Sequence, residues 1–216
     1  AIALTVLCLA FVVAWPENYG AQDTKKDTTF ALAMKEIQTK RPVLFLGAIQ
    51  ALYEGAMYTF VFCWVPTILK VAPSTHVDLI SGSVVDPSSP PLGLIFGSFM
   101  LCITLGGMSF SPLCNVLGVE WATALICGIS AVSMLIPVMT QNFTLIFASF
   151  LTLEACIGCW GACSANMRSK YIDDKLQVSI MTISRVPLNI LVVIGTYMED
   201  AAPLHVVFLT CFAWFS

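Results

Sequence analysis

Runs of about 20 apolar residues recur along this chain, and each is long enough to cross the ~30 Å hydrocarbon core of a bilayer as a helix. In lipid every backbone N–H and C=O must find its partner within the protein, so only helices and closed barrels can span. Barrel strands would read as alternating segments of ~10 residues, and none are present. Composition agrees: 58% of residues are hydrophobic and 11% charged, against about 25% charged in soluble domains. The expected fold class is an all-α polytopic membrane protein. No basic patch interleaved with aromatics points to nucleic acid.

The apolar runs place spans at 1–15, 43–66, 92–114, 121–140, 143–165, 178–198 and 203–216. The chain opens and closes inside apolar stretches, so it reads as an internal piece of a longer protein with its first and last spans cut. No charged leader region or clear cleavage site precedes the first run, which argues against a signal peptide. Lys25, Lys26, Lys35, Lys40 and Arg41 lie in the 16–42 loop, and Arg168, Lys170 and Lys175 in the 166–177 loop. Four spans separate these loops, so both lie on one face, which the positive-inside bias makes cytoplasmic. Lys70 is the one Lys or Arg on the opposite face. The Pro-, Ser- and Gly-rich 71–91 loop is expected there, irregular in structure. The triplet Asn142-Phe143-Thr144 hugs the membrane too closely for glycosylation to be expected. Within the basic loop, Thr28 to Lys40 has Phe30, Met34 and Ile37 at helical spacing, the pattern of an amphipathic helix.

Small residues mark where helices approach closely in lipid. Gly93 and Gly97 form a G-x-x-x-G, continued by Ser98, Cys102 and Gly106; Gly158 and Gly161 bracket Trp160. Pro66, Pro137 and Pro187 interrupt spans or their ends, where they bend a helix. All nine cysteines fall in or at the ends of spans, so a disulfide framework is not expected. Cys156, Cys159 and Cys163 share one helix face. They are read as small packing residues, since no nearby His completes a metal site. No metal, cofactor or catalytic motif is expected, and the chain does not read as an enzyme.

Three ionisable residues break the apolar pattern: Glu54, Glu154 and Arg185. A charge near the bilayer centre costs at least about 3 kcal/mol on insertion scales, so such residues face a polar cavity or one another. Gln50 and Tyr58 lie one turn either side of Glu54 and form a polar stripe with it. Asn189 lies one turn beyond Arg185. Arg185 is suited to recognising an oxyanion through its planar fork of donors. Arg185, Asn189, Gln50 and Tyr58 are therefore the candidate substrate-binding residues. Glu54 and Glu154 are candidates for proton coupling or for a structural ion pair.

Several stretches also carry a family likeness: Trp15 to Tyr19, Leu46 to Glu54 with its Gln-Ala-Leu-x-Glu, Phe60 to Pro66, Pro91 to Met100, Glu154 to Cys156, and Arg185 to Leu188. In these the chain resembles the molybdate-anion transporter family of the major facilitator superfamily, over nearly its whole length. The resemblance implies twelve helices, with this chain holding the sixth to the twelfth: 1–15 ends the N-terminal half, 16–42 is the central cytoplasmic loop, and 43–216 is the C-terminal six-helix bundle. It implies a secondary transporter taking up molybdate by alternating access, partnered by lipid and by the N-terminal half of the same protein, in the plasma membrane. The alternatives are another cargo (sulfate, an organic anion or a sugar) or a non-transporting receptor or scaffold. One departure is plain. Many superfamily members carry a basic turn between the eighth and ninth helices, but Pro112 to Glu120 has no Arg or Lys.

Overall fold

A computed structural model describes residues 26–72, 76–77, 84–85 and 90–216, together with Thr5, Cys8, Phe11 and Val12. Most of the expected 1–15 span and the first part of the 16–42 loop lie outside the described residues. The helices are α1 (Lys26–Thr39), α2 (Arg41–Val71), α3 (Leu92–Leu117), α4 (Val119–Met139), α5 (Phe143–Tyr171), α6 (Asp174–Ala201) and α7 (Leu204–Phe215). Helices α2 to α6 are long and apolar enough to cross a membrane; α7, with 12 residues, is shorter.

The long helices overshoot their apolar runs. The expected 166–177 loop is mostly helix: Arg168 and Lys170 ride the last turns of α5, and Lys175 the first turn of α6. A helix satisfies its own backbone wherever it lies, so it continues past the point where hydropathy falls. Pro66, Pro112, Pro137 and Pro187 all lie inside continuous helices. Asn142 caps α5, its Oδ1 accepting from the amides of Thr144 and Leu145. The 71–91 loop is not wholly irregular, for β1 (His76–Val77) pairs antiparallel with β2 (Val84–Val85).

Two groups of three helices make the bundle. Helix α2 packs on α6 as α5 packs on α3; α4 packs on α5 as α7 packs on α2; and α2 meets α5 while α4 meets α7. Exchanging α2–α3–α4 for α5–α6–α7 maps this set of contacts onto itself. Three spans per unit is an odd number, so the second unit enters from the opposite face. The arrangement is an inverted repeat. Helices α2 and α6 run parallel, as the first and fifth of successive spans must: Gly47 abuts Ser184, Gly55 abuts Leu191, and Gly195 abuts Thr59 further along both.

The close approach of α3 and α5 depends on two glycines. A Cβ on Gly106 would lie 1.8 Å from the Ala155 carbonyl oxygen, and one on Gly158 would lie 1.9 Å from that of Ile103. The expected Gly93–Gly97 contact is not made among the described residues: none lies within 4 Å of a Cβ at either position, nor at Gly161. The core is aromatic. Tyr53 stacks on Trp160 with centroids 4.0 Å apart and meets Phe215 edge-on, while Phe60 meets Phe150. Helix α1 lies against α6 and α2, burying Ala33 and partly burying Ile37. Phe30, on the apolar face expected for this helix, is exposed.

Candidate functional site

The sequence pattern that builds the candidate site is a four-residue spacing on two neighbouring parallel helices. On α2 it aligns Gln50, Glu54 and Tyr58; on α6 it aligns Arg185 and Asn189. Gln50 is buried and donates through Nε2 to Glu54 Oε1 at 2.8 Å. Its own Oε1 is buried without a hydrogen-bond partner. Glu54 is half-buried, and Arg185 and Asn189 are exposed. Tyr58 is 43% exposed.

Gln50, Glu54, Ser184 and Arg185 line one crevice between α2 and α6, closed by Met181 and Leu188. Its volume is about 10 Å³, room for roughly one water. Glu54 and Arg185 share this crevice but form no ion pair with each other among the described residues. The guanidinium therefore keeps its fork of donors available for a ligand.

Glu154 is placed elsewhere. It does not line the crevice and sits on α5 beside Ala155 and Gly158, which touch α3. It is 6% exposed and has no hydrogen bond or ion pair among the described residues. A carboxylate buried this way is tolerable only with a proton, a water or a counter-ion beside it. The three intramembrane charges thus divide into a pair on the α2–α6 face and a single acid in the bundle.

That α2–α6 face is both polar and left uncovered by the described residues. Helix α6, like α3, buries only 17% of its apolar window, against 44–50% for α2, α4 and α5. Elsewhere its open surface is apolar, with Val186, Ile190, Val193 and Ile194 exposed. Arg185 and Asn189 interrupt it about 10 Å and about 17 Å inside the apolar run that begins at 178, at 1.5 Å per residue. A guanidinium at that depth is stable against water or protein and not against lipid.

Two features were not legible from the sequence. Tyr53 hydrogen-bonds Ser130 at 3.0 Å, tying α2 to α4 beneath the Trp160 stack. Glu120, at the start of α4, accepts from Lys170 and from the Tyr171 hydroxyl (2.8 Å) at the end of α5. The connection with no basic residue of its own is therefore pinned by a basic residue from the next helix. No group of His, Cys, Asp and Glu among the described residues is arranged to hold a metal ion.

Comparisons with known proteins agree with this architecture. A family model described as sugar transporters with 12 transmembrane helices matches residues 1–162. The molybdate-anion transporter of Xenopus tropicalis is 28% identical over 205 residues, covering 90% of this chain and 41% of the relative. The protein of the same name from Xenopus laevis has the same identity and coverage. That of Danio rerio is 26% identical over 164 residues, 72% of this chain and 30% of the relative. The chain thus spans well under half the length of these curated relatives. No solved structure gives a significant match.

Proposed function

Because this chain belongs to the major facilitator family described as twelve-helix sugar transporters, and within it is similar to the molybdate-anion transporters, we propose that it forms the C-terminal bundle of a secondary transporter for a small oxyanion, molybdate first among them. In this reading 1–15 ends the N-terminal half, 16–42 is the cytoplasmic linker, and 43–216 is the bundle described above. The N-terminal half of the same protein covers the α2–α6 face.

The observation that carries the reading is the polar stripe on that face. Arg185, Asn189 and Tyr58 are exposed and Glu54 half-buried on two parallel helices, and Glu54 and Arg185 line one crevice between them. Arg185 supplies charge and paired donors to a tetrahedral dianion. Asn189 and Gln50 add neutral donors. The crevice holds no more than a water, so the anion binds on the open face above it, where a facing half completes the chamber. Two halves rocking about such a site give alternating access.

Glu54 gives a route to coupling. A carboxylate beside Arg185 repels an incoming dianion unless it carries a proton, so proton and anion enter together. Glu154, buried and without a hydrogen bond or ion pair among the described residues, is the second candidate for the coupled proton. A neutral sugar is the cargo that the family description suggests, but it makes no use of an unpaired guanidinium.

The test is uptake of radiolabelled molybdate by cells expressing the whole protein. Arg185→Gln is expected to cut uptake by at least about tenfold, the worth of one hydrogen bond to a charged group, with surface expression unchanged. Normal uptake in that variant would remove Arg185 from the site. Competition by sulfate but not by glucose is expected; the reverse would assign a sugar.

A further inference from the structure

A second polar concavity lies at the end of the bundle opposite the basic loops. It encloses about 320 Å³ between the end of α2, the α4–α5 turn and the start of α7, within the range of ligand pockets, about 300–1,000 Å³. Thr67, Lys70, Gln141 and His205 supply its polar lining, and Ile146 and Phe208 an apolar floor. The Thr67 hydroxyl donates to the Cys63 carbonyl at 2.7 Å, so its proton is already used. Lys70 and His205 are exposed and have no ion pair or hydrogen bond among the described residues. Helix α7 starts beside the cavity with no side-chain cap, and its first amides add partial positive charge.

No carboxylate among the described residues lines the cavity. Glu199 and Asp200, at the same end of α6, are not among its walls. The positive-inside bias leaves this face almost without cations, yet Lys70, its one Lys or Arg among the loops and helix ends, stands at the concavity.

We infer that this cavity binds a small oxyanion, with the Lys70 ammonium supplying the charge and His205 and Gln141 the directed hydrogen bonds. The site is separate from the α2–α6 stripe and stands whether or not the chain transports. Its oxyanion is a soluble anion or the phosphate of a lipid headgroup, since the cavity lies where the helices leave the hydrocarbon.

The experiment uses the whole protein carrying Arg185→Gln, so that the stripe does not contribute. In a phosphate-free maltoside detergent, saturable binding of radiolabelled molybdate is expected. Lys70→Gln should weaken it roughly tenfold, His205→Asn should weaken it too, and Lys70→Arg should keep it. In the second arm the protein is extracted from phosphatidylglycerol vesicles and its retained lipid counted by mass spectrometry. Loss of one lipid in Lys70→Gln, without molybdate binding in detergent, assigns the oxyanion to a headgroup. If Lys70→Gln changes neither molybdate binding nor retained lipid, the site does not exist. Failure of uptake in the unaltered protein would overturn the transport reading and leave this result untouched.

Discussion

Glu54 and Glu154 share an element type and a depth but differ in surroundings, and the difference decides what each substitution should do. Glu54 is half-buried, hydrogen-bonded by Gln50 and beside Arg185 in one crevice. Glu54→Gln keeps the shape and removes the titrating group, so uptake should persist with a flattened dependence on external pH. A profile matching the unaltered protein would make Glu54 a structural residue. Glu154 has no partner to lose among the described residues, so Glu154→Gln should leave thermal stability in detergent unchanged or raised; a clear fall would reveal a counter-ion for its charge. The sequence pointed to both acids because a charge in an apolar run stands out. It did not separate them, since which face of α5 turns toward α3 depends on packing between Ala155, Gly158, Ile103 and Gly106. Lys170 and Glu120 were equally hidden as partners: 50 residues divide them, and only the hairpin of α4 and α5 joins them.

At the scale of elements, hydropathy located every described span, because burying backbone in lipid forces a long apolar helix. Helix ends were less legible, since a helix needs no apolar side chains once it leaves the hydrocarbon. Small-residue stripes were read as close-packing signals, which holds at Gly106 and Gly158 but not at Gly93, Gly97 or Gly161. Gly93–Gly97 has open space before it, whereas Gly106 and Gly158 interlock across α3 and α5. A valine at Gly106 must push the Ala155 backbone aside, at a cost of at least about 1–3 kcal/mol. Gly106→Val should therefore lower the yield of folded protein sharply, as judged by size-exclusion profile and melting temperature. Gly97→Ala should melt within about 0.5 kcal/mol of the unaltered protein. Equal effects would show that the α3–α5 contact is not the tight one.

For the whole molecule, the inverted repeat explains how one bundle presents a polar face. Helices α3 and α6 occupy equivalent places in the two units and are the least buried, at 17% each. Only α6 carries Arg and Asn on its open surface at mid-depth. The charge bias between loops and the four-residue spacing of the stripe made this much legible in the sequence, whereas the pairing of α2 with α6 required the fold. The direct test is thiol labelling of the whole protein in membranes, on a cysteine-free background, with a membrane-impermeant reagent. Asn189→Cys should react and be protected by molybdate, whereas Ile194→Cys, on the apolar part of α6, should stay unlabelled. An Asn189→Cys protein as inert as the Ile194→Cys one would mean that the stripe meets no water, and would contradict an anion path along α2 and α6.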